Sequence, residues 1–171
     1  MSKHMKRSNG TDKDERETPK SFFKELDKTF HFVFDVCATR ENAKCQNYFD
    51  KEKDGLLQPW PNTGDDGASL AVWCNPPYSD IENWVYKAYK QKLLGTTTVM
   101  LLPVRTGTDW FSALTKYPGV QICFLRERLK FGGSQTSAPF DCMLVIFRAN
   151  RWFRSLHLPP EVINVSKEHR S

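Results

Sequence analysis

Asn75, Pro76, Pro77 and Tyr78 form the segment of this chain with the clearest chemical capability. The two prolines fix φ and carry no N–H, and each biases the residue before it away from helix. The outcome is a rigid turn with outward, unpaired carbonyls. Asn75 sets an amide oxygen beside them and Tyr78 an aromatic plane. Such a set grips a planar group that bears an exocyclic NH2. One amine proton goes to the Asn75 side-chain oxygen, the other to the Pro76 carbonyl, and Tyr78 stacks on the ring. With both hydrogens held, the nitrogen lone pair leaves conjugation and is aimed at an electrophile. No strong base is needed before attack, because the protonated product nitrogen is acidic and loses its proton later. Positioning supplies much of the catalysis. The plainer alternative is a Pro-rich loop that closes a strand, with Tyr78 packed on the surface.

The elements around this turn must place it. Ser69–Cys74 predicts a buried strand that the prolines end sharply. Ser79 or Asp80 caps the helix after it, whose apolar face holds Ile81, Trp84, Val85, Ala88 and Tyr89. Upstream, Thr18 serves as N-cap and Pro19 as first residue of a helix with Phe22, Phe23, Leu26 and Phe30 on one face. Phe32–Val36 is an apolar run that includes Asp35 and predicts a buried strand; Cys45–Phe49 predicts a weaker one. Residues 51–60 predict a turn or short helix, and the prolines and glycines of 59–67 a loop. Thr96–Val104 predicts a parallel-type strand and Asp109–Lys116 a helix. Val120–Leu125 and Cys142–Phe147 are strand-like, with no helix between, and predict an antiparallel pair at the end of the sheet. The fold class is therefore α/β, a compact doubly wound, mostly parallel sheet with an antiparallel hairpin at its C-terminal end. Ligands in such sheets bind beyond the carboxyl ends of the strands, where Asp35 and Asn75 both fall. They are 40 residues apart, and a full crossover takes about 30 residues, so a single reduced crossover fits between them.

Composition limits the alternatives. The 171 residues suit one domain, expected at 18–150, after a flexible tail at 1–17 and before a C-terminal extension at 151–171. Apolar runs are strand-length and the first residues carry no apolar leader, so a cytoplasmic protein with no membrane partner is expected. The net charge of +5 suits a polyanion partner without demonstrating one. The five cysteines are odd in number and lack C-x-x-C spacing, so reduced thiols are expected rather than zinc or disulfides. The four histidines are scattered, and no metal is expected.

The order of several motifs resembles the phage and prophage DNA N6-adenine methyltransferase family (the Dam-like group). The matching stretches are Thr18-Pro19 with Phe22-Phe23, Phe34 to Ala38, Glu41 to Cys45, Asp54 to Leu56, Trp60, Asn75 to Tyr78, Leu102 to Thr106 and Arg128 to Phe131. The resemblance implies a Rossmann-like methyltransferase that uses S-adenosylmethionine in a bacterial host cell. Its substrate would be adenine in double-stranded DNA, usually at GATC, flipped out of the stack. Asn75 and Pro76 would hold the N6 amine and Tyr78 would stack, Pro77 completing the motif. Asp35 would meet the methionine amino group, and Cys37 and Ala38 would line the turn beside it. Thr18 and Pro19 would pack at the methionine end, and Asp54 would lie near the cofactor adenine. The usual glycines of the cofactor motif are absent. Read without the resemblance, Asp35 fits a helix cap and Asp54-Gly55 an ordinary turn.

Basic residues follow two strand ends: Arg105 and Thr106 after one, Arg126, Arg128 and Lys130 after another. They suit phosphate contacts, or a solvated strand of alternating charge in the case of 126–130. Trp110 or Phe131 would suit the gap left by a flipped base, core packing being the alternative. No separate recognition domain is visible. Two other classes fit parts of this pattern. One is an amino-methyltransferase acting on RNA or a protein glutamine; the other is a catalytically silent DNA-binding module.

Overall fold

The computed structural model describes residues 16–65 and 67–149. Helix α1 (Lys20–Phe30) leads into a short strand β1 (Phe34–Asp35). After a long irregular stretch come β2 (Ala71–Cys74), α2 (Ile81–Leu93), β3 (Thr97–Pro103), α3 (Asp109–Lys116), β4 (Val120–Phe124) and β5 (Cys142–Phe147). The strands form one five-stranded sheet in the order β1-β2-β3-β5-β4.

Burial follows the period-2 alternation of the strands. Val72, Cys74, Met100, Leu102, Met143, Val145 and Phe147 face one layer, with Ile81, Trp84, Val85 and Ala88 of α2 and Leu114 of α3. Ala71, Trp73, Val99, Leu101, Leu144 and Ile146 face the other, with Phe22, Phe23, Leu26 and Phe30 of α1. Both faces are covered, which explains why β3 and β5 read as continuous apolar runs. The α/β class is thus observed, with three helices on a mixed sheet.

β1, β2 and β3 pair in parallel, and β5 is antiparallel to both β3 and β4. Four strands therefore point the same way. The expected antiparallel pair is present at the end of the sheet, with β5 between β3 and β4 and β4 at the edge. All six residues of β5 are buried, whereas β4 is only half-buried. The more apolar strand occupies the interior position. This topology brings Asp35, Asn75, Arg105 and Arg126, each at or just past a strand's carboxyl end, to the same edge of the sheet.

Other boundaries differ in instructive ways. Pro19, not Thr18, is the N-cap of α1; its carbonyl accepts from the N–H of Phe23 at 3.0 Å. Thr18 is released from capping and its hydroxyl is used elsewhere. The expected strand at Cys45–Phe49 is a single bridge between Tyr48 and Asp35. It still covers the edge of β1, since Asp35 N–H donates to the Asn47 carbonyl and Phe49 N–H to the Asp35 carbonyl. Residues 51–57 form turns, and 126–130 is irregular, with a bend at 126–127, rather than a solvated strand. Asp80 stands at the N-cap of α2, but its carboxylate accepts from the Asn83 side chain, not from the backbone. Trp110 and Phe131 are both buried, which removes them as exposed wedges in this conformation. The expected tail at 1–17 lies outside the described residues except for Arg16 and Glu17, and the extension at 151–171 lies wholly outside them. Among the described residues no helix is long and apolar enough to cross a membrane.

Gly55 marks the tightest approach in the reduced crossover. A Cβ there would run into the carbonyl oxygen of Val36 and crowd the Trp84 ring. The Gly55 carbonyl in turn accepts from the Trp60 indole N–H at 2.7 Å. Gly55→Ala must push the crossover off Val36, and overpacking of this kind costs about 2 kcal/mol. Urea unfolding of the variant should show a free energy of unfolding lowered by that amount, through a lower midpoint at unchanged slope.

Candidate active site

A cavity of about 350 Å³ opens at the carboxyl edge of β1 and β2, within the ~300–1,000 Å³ common for small-molecule sites. Of the residues singled out in the sequence, Thr18, Asp35, Cys37, Ala38, Asp54, Asn75 and Pro77 line it. Pro19, Pro76 and Tyr78 do not. Its apolar wall comes from Phe49, Leu56 and Trp84.

Asp35 is buried at the end of β1. One carboxylate oxygen accepts from the Cys37 N–H at 3.3 Å and the other from the Lys44 N–H at 3.0 Å. It caps a loop, not a helix. Burial dominates its protonation and pushes its pKa up to about 7, against the lowering effect of the two backbone N–H groups and the Lys44 charge. Cys37, beside it, is pushed above the ordinary thiol range by burial and by the Asp35 charge. It is therefore a neutral wall rather than a nucleophile. Cys45 and Cys142 are pushed up by burial to about 12. The five cysteines are free thiols, and no group of three or more metal-binding side chains occurs among the described residues.

Asn75 follows directly on β2, and its amide orientation is fixed by chemistry. Nδ2 donates to the Arg16 carbonyl at 2.5 Å and to the Thr18 hydroxyl at 3.2 Å. A main-chain carbonyl only accepts, so the NH2 end must face it. The Oδ1 atom is then left buried with no hydrogen-bond partner. A buried acceptor without a partner is costly and marks a place where a ligand donor belongs. Tyr78 is also buried with an unpartnered hydroxyl, and burial holds its phenol above the usual range. Its ring meets Phe140 edge-on, 5.8 Å between centroids.

Asp54 has a positive φ of 47°, and its carboxylate accepts from the Leu56 N–H two residues on. It is an ordinary Asx turn and a wall of the cavity at once. The basic residues Arg105, Arg126, Arg128 and Lys130 are exposed, as is Thr106. Arg128 is partly committed, its Nε donating to Asp141 at 2.9 Å. Arg105 lies close enough to Tyr78 to favour its ionised form slightly.

Several lining residues escaped the sequence reading: Arg16, Glu17, Lys44, Phe49, Asp50 and Trp84. A signal existed for Asp50. It directly follows Tyr48-Phe49 at the end of the expected weaker strand, much as Asp35 stands in the run that marked it. Arg16 carried no signal, because a polar N-terminal stretch gives no pattern to read.

The DNA N-6-adenine-methyltransferase (Dam) family matches residues 6–167. A DNA N-6-adenine-methyltransferase of Haemophilus phage HP1 is 30% identical over 154 residues, covering 85% of each chain. One of Escherichia phage T1 is 33% identical over 81 residues, 47% of this chain and 32% of its own.

The raised pKa of Asp35 has a direct check. The group is neutral below about 7 and charged above it, so a cation bound against it binds more tightly as pH rises through that value. Carboxyl carbon NMR of the ligand-free protein should show Asp35 titrating near 7, about three units above an ordinary Asp.

Proposed function

Because this chain belongs to the DNA N-6-adenine-methyltransferase family, we propose that it methylates N6 of a flipped-out adenine in double-stranded DNA, holding the amine at Asn75. The observation that carries the reading is the buried, unpartnered Asn75 Oδ1, fixed in orientation by the Arg16 carbonyl. It is an acceptor waiting for an N–H. The Pro76 carbonyl takes the second amine proton, and Tyr78 offers its ring to the purine. The lone pair of N6 is thereby freed from conjugation and directed along one line.

The cavity fits S-adenosylmethionine. Asp35 keeps acceptor capacity beyond its two backbone bonds, and its wall position suits the methionine ammonium. Thr18, Cys37 and Ala38 line the same end, and Asp54 stands with Leu56 and Trp84 on the wall assigned to the cofactor's adenine. Pro19 acts through the start of α1 rather than by contact. When bound, the cofactor supplies an electrophilic methyl whose bond pair leaves on sulfur as the new C–N bond forms. The protein's part is to hold both partners and exclude water. The N6 nitrogen, cationic after transfer, loses its proton to solvent. Arg105, Thr106, Arg126, Arg128 and Lys130, at or after the same strand ends, meet the phosphates around the flipped base.

Two experiments test this. DNA from cells expressing the protein, digested with methylation-sensitive and methylation-dependent nucleases at GATC, reports activity. Asn75→Ala and Tyr78→Ala should each lower methylation at least about a hundredfold, and calorimetry should show nearly normal cofactor binding in Tyr78→Ala, whose side chain does not line the cavity. Wild-type rates in Asn75→Ala overturn the mechanism. Arg105→Ala with Arg126→Ala should weaken DNA binding and lower the slope of log affinity against log salt by about 2, measured by fluorescence anisotropy. An unchanged slope removes the strand-end loops as the phosphate surface.

A further inference from the structure

We propose that Arg16 is a built-in occupant of the base pocket: its guanidinium fills the aromatic cage of Tyr78, Phe131 and Phe140 in the DNA-free enzyme and swings out to admit adenine. The proposal rests on the reading of Asn75 and Tyr78 as the adenine site.

The guanidinium carbon lies 5.8 Å from the Tyr78 ring centroid, 5.9 Å from Phe131 and 4.8 Å from Phe140. The three rings adjoin one another, Phe131 and Phe140 at 6.3 Å and Tyr78 and Phe140 at 5.8 Å. A guanidinium is planar and binds aromatic faces by cation–π attraction. A purine is also planar and binds the same faces by stacking. On the face of Tyr78 that Arg16 covers the two exclude each other, so there one displaces the other.

The backbone of the Arg16 strap is tied down by hydrogen bonds of its own, so the exchange is a movement of the side chain. The Arg16 carbonyl accepts from Asn75, and the Glu17 carbonyl accepts from the Gly132 N–H at 2.9 Å. The Glu17 carboxylate pairs with Lys44 at 2.8 Å. Lys44 in turn donates its backbone N–H to Asp35. Residues 16–18 thus form a strap between the aromatic cage and the loop of Asp35. The strap stays in place on Asn75 whichever group fills the cage.

The test uses the full chain saturated with S-adenosylhomocysteine. The probe is a GATC duplex whose target adenine faces an abasic position, which lowers the cost of flipping. A fully paired duplex without GATC serves as reference. Arg16→Ala should raise the ratio of probe to reference affinity by about tenfold, the range of one displaced cation–π contact. Arg16→Lys should lie between Arg16→Ala and wild type. A lost phosphate contact would weaken both duplexes alike and leave the ratio unchanged. In the wild type, the Arg16 Nε–H resonance should be shifted upfield by the rings and move to its ordinary position when the probe binds. An unchanged or lowered ratio in Arg16→Ala, or an Nε–H signal that the probe does not move, overturns the plug. Should Tyr78→Ala bind the probe as tightly as wild type, the base site itself is wrong, and the proposal falls with it.

Discussion

The hydrogen bond from the Asn75 side chain to the Arg16 carbonyl is the constraint on which the site depends. An amide has a donating end and an accepting end, and a main-chain carbonyl can satisfy only the first. Once the strap takes the NH2, the oxygen is what remains for a ligand. The same contact fixes the strap, which brings Thr18 to the cavity and Arg16 to the aromatic rings. The cavity and the aromatic rings around Tyr78 are thus joined through one side chain at the carboxyl end of β2. Thr18 shows the exchange most directly. Its hydroxyl does not cap α1 because it faces Asn75 instead, and Pro19 begins the helix without a side-chain cap.

The reduced crossover between β1 and β2 shapes the other half of the site. No helix lies within it among the described residues, so its turns must pack directly on the sheet and on α2. Gly55 permits that approach, and the Trp60 indole fastens it. With so little chain above them, Asp35 and Asn75 end on adjacent strands, and one cavity serves both. Burying Asp35 raises its pKa because two backbone donors do not fully replace water around the charge. Such a group is a cost to the empty protein and a ready partner for a cation.

The long-range order of the chain was legible where the residue pattern has a period. The amphipathic face of α1, the helix at Asp109–Lys116 and the strand at Cys142–Phe147 follow directly from apolar spacing, and the motif after β2 stood out through its two prolines. What escaped was whatever depends on contacts distant in sequence. The place of β5 inside the sheet is decided by relative burial against β4, which both strands leave open as isolated runs. The bridge at Tyr48 is too short to register. Arg16 belongs to a polar stretch with no pattern, and only the fold brings it to Tyr78, across more than sixty positions of chain. The residue types of the Asn75–Tyr78 segment could be read directly; the partners that orient Asn75 could not.

The position of β5 has a consequence for how the molecule is made. A strand that is nearly last in the chain is the one that joins β3 to β4. While the chain is being synthesised, β3 presents an open edge and β4 has nowhere to dock until residues 142–147 emerge. Loop closure over such separations slows folding and leaves apolar edges exposed for longer. The basic loop at 126–130 gains its place beside the sheet only once β5 has docked. A nascent chain therefore has residues 75–78 in hand well before the loop at 126–130 has its support.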